Sequence, residues 1–201
     1  MEHSDSTPRH TAGGVTHSRR SFLARGFASL ATLAGAGGLG AAPLLSAPKR
    51  TDTVTIENFS GAGVSQGTLE VARIVKSDAE WHQLLSPAAF HVTRQSGTEF
   101  PFSGEYDKSY ANGLYRCICC DTALFDSRTK FDSHTGWPSF WQAISRFNVA
   151  EASGSRMAMT GVPVACRRCE AHLGHVFDDG PPPTGLRYCI NSVSLKFVRR
   201  A

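Results

Sequence analysis

The chain has 201 residues, 41% of them hydrophobic and 19% charged, with a formal net charge of +4; that length supports one core with appendages and argues against a second full domain. Much of the positive excess sits near the N-terminus, where Arg9, Arg19, Arg20 and Arg25 face only Glu2 and Asp5, so residues 49–201 carry 17 basic and 15 acidic side chains. That near balance leaves no basic footprint for nucleic acid, and Arg167 and Arg168 alone do not make one.

The first residues read as a targeting segment. Ser18-Arg19-Arg20-Ser21-Phe22-Leu23 precedes a weakly apolar, Ala/Gly-rich run from about Gly26 to Leu45, the order of basic flank, apolar stretch and small residues found in a twin-arginine export signal. A disordered tail or an uncleaved interfacial helix would have similar composition, while the glycines and alanines argue against a stable spanning helix. Residues 1–48 are therefore expected to be a twin-arginine signal peptide, and the product to be exported, periplasmic and not stably inserted in the membrane after processing. Small residues near Ala42 or Ala47 offer cleavage sites, with Pro43 and Pro48 leaving the bond open. Residues 49–76 follow as an N-terminal extension, and the main domain spans 77–201.

Ser77-Asp78-Ala79-Glu80 has the pattern of a capping box, and Trp81, Leu84 and Leu85 follow on one helical face. Pro87 is expected to end this short helix, because the residue before a proline disfavours the α conformation. From Leu114 onward short β runs are split by Gly, Pro and Asp, the clearest being Val193, Leu195 and Phe197 alternating with Ser192, Ser194 and Lys196. The expected fold is mainly β, antiparallel sheets with a few short helices, held by a four-cysteine zinc site.

All six cysteines lie in the C-terminal half, and four form the pairs Cys117/Cys120 and Cys166/Cys169. A C-x-x-C turn sets two thiolates at adjacent corners of a tetrahedron, so two turns complete a soft four-sulfur site suited to one zinc ion. With every position filled by protein, the metal would be structural. Two local redox pairs or buried free cysteines are the alternatives.

Cys189 stands apart, in Arg187-Tyr188-Cys189-Ile190-Asn191. In a strand, residues two apart share a face, so Arg187 and Asn191 would flank the thiol, the first lowering its pKa and the second offering a hydrogen bond. Upstream, His172 and His175 bracket a Leu-Gly step before Asp178 and Asp179. Such a pair suits proton transfer near neutral pH, a metal site or simple surface histidines.

Gly136-Trp137-Pro138-Ser139-Phe140, the two C-x-x-C pairs, the unbroken run from His172 to Ser192 and Gly97-Thr98-Glu99-Phe100-Pro101-Phe102 together resemble the methionine sulfoxide reductase B family, in one collinear order from about Ser77 to Val198. The resemblance implies antiparallel sheets, a structural zinc remote from the reaction and reduction of the R epimer of methionine sulfoxide in oxidised proteins. It also implies Cys189 as nucleophile, with His172, His175, Asp179, Arg187 and Asn191 lining the site and Trp137 against the substrate methyl group; core packing is the alternative for Trp137. Sulfoxide reduction needs a thiolate to attack sulfur and an acid to protonate the departing oxygen, roles expected of Cys189 and of a protonated His172 or His175. The product on the enzyme is a sulfenic acid, which thiols reverse.

Many members of that family carry a second cysteine just before Gly-Trp-Pro-Ser-Phe, where this chain has Thr135. A hydroxyl cannot form the recycling disulfide, so regeneration is expected directly from a thioredoxin-like or other thiol. Cys119, between two zinc ligands, is a poor substitute, because a disulfide needs Cα atoms within about 7 Å. Two rival readings are a zinc-held peptide-binding module, which would not need Cys189, and an open-site zinc enzyme, which four thiolates leave no vacancy to support.

Overall fold

The computed structural model describes residues 52–154 and 159–200; the targeting segment, with the signal and its cleavage sites, lies outside the described residues. Among them the chain is antiparallel β with two short α-helices, as the sequence pattern anticipates.

The stretch read as an extension is structured. Strands β1 (Thr53–Phe59) and β2 (Ser65–Ala72) form an antiparallel hairpin. Asn148, fully buried, joins it to the domain: its Oδ1 accepts from the Glu57 amide at 2.8 Å, and its Nδ2 donates to the carbonyls of Glu57 and Ala123, each at 2.8 Å.

Helix α1 (Asp78–Leu84) starts where the capping box places it, with the Ser77 hydroxyl accepting from the Glu80 amide and the Glu80 carboxylate accepting from the Ser77 amide. Trp81 is buried but Leu84 is 62% exposed, so the expected apolar face is narrower than its spacing suggests. Pro87 does end α1, and it also begins a second helix, α2 (Pro87–Gln95), capped by the Ser86 side chain. Proline at the first helical turn costs nothing because its missing N–H has no partner there anyway.

Strands β3 (Gly113–Cys117), β4 (Ala123–Asp126) and β11 (Leu195–Arg199) make a three-stranded sheet in the order β11-β3-β4. The alternation read from Val193 holds only from Leu195. Ser192–Ser194 form a 3-10 turn, and the hydroxyl of the buried Ser194 donates to the Asn191 carbonyl at 2.7 Å. A six-stranded sheet contains β5 (Lys130–Phe131), β6 (Ser139–Phe140), β7 (Val149–Glu151), β8 (Val162–Cys166), β9 (His172–Phe177) and β10 (Arg187–Ile190), ordered β5-β6-β10-β9-β8-β7. Tyr115, Leu124, Phe125, Phe140, Leu173 and Ile190 join both sheets in one core, with Phe125 and Phe140 stacked at 4.5 Å between ring centroids. β10 therefore lies inside its sheet, paired with β6 on one side and β9 on the other.

Candidate active site

Cys189 is the third residue of β10. Its Cα partners are Ser139 on β6 and His175 on β9, and directly opposed residues present their side chains on one face. Cys189, His175, Trp137 and Asn191 line one cavity of about 140 Å³, together with Phe177, Thr98 and Gly174. Of the residues expected in the site, these four share that cavity; His172, Asp179 and Arg187 do not line it.

Trp137 is aimed by two contacts. Gly136 holds φ at +91°, and a Cβ there would lie 2.6 Å from the Phe102 amide nitrogen, so the turn requires glycine. The indole N–H donates to the Glu99 carbonyl at 3.2 Å.

Glu99 is a site residue that motif reading left without a role. Its carboxylate accepts from the amides of Ser192 (2.7 Å) and Val193 (3.1 Å), and its own amide donates to Asn191 Oδ1 at 2.9 Å. It caps the 3-10 turn that follows Cys189, in the way an acidic group satisfies the free N–H groups at a helix start. Asn191 is drawn into the same clasp, with Nδ2 donating to the Leu173 carbonyl at 3.0 Å. The amide expected to serve the sulfur instead holds the backbone of Glu99 and of Leu173 on β9.

Arg187 and Asp179 form a bidentate pair, Nε to Oδ1 at 2.8 Å and a terminal nitrogen to Oδ2 at 2.7 Å. The guanidinium also lies 4.2 Å from the Phe177 ring centroid. Asp179 is 59% exposed while Arg187 is 11% exposed, so the carboxylate acts from outside by holding the cation in place.

The sulfur meets opposing influences. Burial pushes the Cys189 thiol above its ordinary pKa, against the Thr135 hydroxyl, the Arg187 guanidinium and the Ser139 hydroxyl, which favour the thiolate. Burial and then the neighbouring His175 push His172 down to about 4, and burial pushes His175 down as well. Both shifts favour the neutral imidazole, because burial penalises the charged form. The rings meet edge-on with centroids 5.3 Å apart, and His172 Nε2 is buried with no hydrogen-bond partner among the described residues.

Thr135 stands against the thiol, its Oγ1 3.9 Å from Cys189 Sγ. The position that carries a second cysteine in many resembling sequences is thus adjacent to the sulfur, and here it holds a hydroxyl.

Away from this cavity, Cys117, Cys120, Cys166 and Cys169 bring their four sulfurs within 4.8 Å of one another. The two knuckles fold alike: Asp121 (φ 60°) donates its amide to the Cys117 carbonyl, and Glu170 (φ 59°) donates to that of Cys166, each at 2.9 Å. Cys117 and Cys169 sulfurs are 3.6 Å apart, and those of Cys120 and Cys166 3.5 Å. Thiolates about 2.3 Å from a tetrahedral zinc would be separated by about 3.8 Å, so the cluster fits a metal ion such as zinc.

Fold and site together define an antiparallel β protein with a thiol in an aromatic-walled cavity and a separate four-cysteine cluster that fits a metal ion. Residues 85–199 match the SelR domain family. Over 129 residues, 64% of this chain and 98% of the relative, the chain is 54% identical to the peptide methionine sulfoxide reductase MsrB of Pseudomonas syringae pv. syringae. The proteins of the same name from Herminiimonas arsenicoxydans (52% identity, 62% of this chain and 91% of the relative) and Thioalkalivibrio sulfidiphilus (54%, 60% and 88%) match over 125 and 121 residues. The chain belongs to the SelR domain, methionine sulfoxide reductase B family.

Proposed function

We propose that this protein reduces the R epimer of methionine sulfoxide in oxidised proteins to methionine, with Cys189 as the nucleophile. The observation that carries the reading is the cavity in which the Cys189 thiol meets Trp137, Phe177 and His175: an apolar wall for the methyl group, a sulfur to attack and an imidazole to move a proton. His175, neutral at rest, takes the thiol proton; the thiolate attacks the sulfoxide sulfur; the imidazolium protonates the oxygen. The hydroxyl then passes from the methionine sulfur to Cys189 Sγ as the sulfur–sulfur bond just formed breaks, which releases methionine and leaves Cys189 as a sulfenic acid. Arg187, held by Asp179, offsets the charge on sulfur, while His172 and Asn191 orient the groups beside it.

Two equivalents of an external thiol, such as a thioredoxin-like reductant, then return Cys189 to the thiol and release a disulfide and water. The Thr135 hydroxyl beside the sulfur supports direct regeneration, since no disulfide can form there. Cys117, Cys120, Cys166 and Cys169 would hold one structural zinc ion, which supplies a cross-link and no reaction step. Chelation is expected to release the metal and unfold the domain, and a metal-free protein with an unchanged melting temperature would remove that role.

Dithiol-dependent reduction of separated R and S epimers by the parent chain and by Cys189→Ser tests activity, stereochemistry and nucleophile together. Loss of R-epimer turnover in the variant alone is expected; a parent inert toward both epimers ends the proposal. Export to the periplasm by the twin-arginine route is supported by Ser18–Leu23 and the run that follows. Fractionation of cells expressing the parent and an Arg19→Lys, Arg20→Lys variant checks it, with retention of the variant in the cytoplasm as the expected result.

A further inference from the structure

Thr135 is the near end of a chain of hydroxyls. Its Oγ1 is 2.8 Å from Ser133 Oγ, Ser133 Oγ is 2.7 Å from the Oγ of the fully buried Ser139, and Ser139 Oγ donates to the Trp137 carbonyl at 3.1 Å. Each hydroxyl has one proton to donate, and a carbonyl can only accept. With Ser139 committed to Trp137, its contact with Ser133 requires Ser133 to donate. Thr135 must then donate to Ser133, and the remaining contact, at 3.9 Å, is filled by the Cys189 S–H pointing at Thr135. All four links are satisfied, and all run away from the sulfur.

A thiolate has no proton to give. We propose that Ser139, Ser133 and Thr135 form a hydroxyl relay whose donor direction inverts when Cys189 ionises, so that the thiolate receives a hydrogen bond from Thr135. The proton leaves Sγ for the neutral His175 imidazole or for solvent; the hydroxyl protons only rotate about their C–O bonds, and no covalent bond within the relay breaks. Thr135 then donates to sulfur, Ser133 to Thr135 and Ser139 to Ser133, and the Trp137 carbonyl gives up its hydroxyl. Ionisation gives up the S–H to Thr135 contact and the hydroxyl–carbonyl bond and gains one charge-assisted hydroxyl–thiolate bond, the strongest kind of the three.

The thiolate is also favoured by the Arg187 guanidinium and directly by the Ser139 hydroxyl. Arg187 acts from the same strand with Asp179 behind it, and His175 acts from β9 with His172 against it. On the loop before β6, Asp132 pairs with His134 and Lys108, which leaves hydroxyls as the groups that loop turns toward the sulfur. Thr135, Ser133 and Ser139 are positioning residues, and this inference rests on the reading of Cys189 as nucleophile.

The test is the pH dependence of Cys189 alkylation by iodoacetamide in the zinc-loaded full chain, followed by mass spectrometry of the Cys189 peptide. It reports the thiolate directly, so it stands apart from turnover: an inert parent would end the proposed function and leave this measurement readable. Thr135→Val is expected to raise the alkylation midpoint and slow the reaction at pH 7 about tenfold, while Thr135→Ser stays within about threefold of the parent because it keeps the hydroxyl. A Thr135→Val midpoint that does not rise, or a Thr135→Ser that behaves like Thr135→Val, overturns the relay.

Discussion

Gly174 precedes His175 on β9 and pairs with Ile190, the residue after Cys189 on β10. A Cβ at this position would meet the Cys189 carbonyl oxygen at 2.1 Å, the Ile190 Cα at 3.0 Å and the Cys189 carbonyl carbon at 3.1 Å, and all three are backbone atoms. No side chain can swing away to make room, so Gly174→Ala must part β9 from β10 by roughly 1 Å, and a displacement of that size at reacting groups costs about 100-fold in rate. The loss should fall mainly on kcat, because Trp137 and Phe177, which would hold the methyl group, are not the clashing atoms. Overpacking should also cost about 1–3 kcal/mol of stability. Steady-state reduction of the R epimer with a dithiol, alongside metal content and melting temperature, gives the measurement. A Gly174→Ala protein with kcat within about twofold of the parent and unchanged melting would refute the claim that this contact sets the spacing of thiol and imidazole.

Asn148→Ala leaves the amide and carbonyl of Glu57 and the carbonyl of Ala123 without their buried partner, so urea unfolding should show a loss of about 2–4 kcal/mol; a loss under about 0.5 kcal/mol would mean that the hairpin contributes nothing to the domain. Because His172 is pushed from 6.5 down to about 4, the unfolded chain takes up its proton first: this contribution to stability is complete above about 6.5 and is lost as pH falls toward 4. His172→Gln should therefore lose less stability than the parent between pH 7 and pH 5, and an equal or larger loss in the variant contradicts the burial argument. Thr135→Cys should form an intramolecular disulfide with Cys189 after one equivalent of substrate, given the 3.9 Å approach of the present side chain, and mass spectrometry showing only free or external mixed disulfides would speak against that geometry.

Local chemistry was legible where neighbours in sequence decide the outcome. Ser77 and Glu80 cap α1 because their partners are three residues apart, and the Cys117/Cys120 and Cys166/Cys169 spacings place paired sulfurs on single turns. Pro87 illustrates the limit: its missing N–H stops one helix and suits the start of another, and only the Ser86 cap and the burial of Phe90 and Val92 select the second outcome. Residues 49–76 read only as an N-terminal extension, because the hairpin within them is fastened by Asn148, far along the chain.

The amino-acid order by itself determined the pairing of the clustered cysteines in two C-x-x-C turns and the collinear motif that marks the family. Tertiary structure alone decided that burial pushes both histidines toward the neutral form, that Glu99 clasps the turn after Cys189, that Asp179 pairs with Arg187, and that three hydroxyls lead to the sulfur. The reason is physical. Spacing sets local geometry, whereas charge state depends on desolvation, and a hydrogen-bond partner depends on which distant strands the core brings side by side.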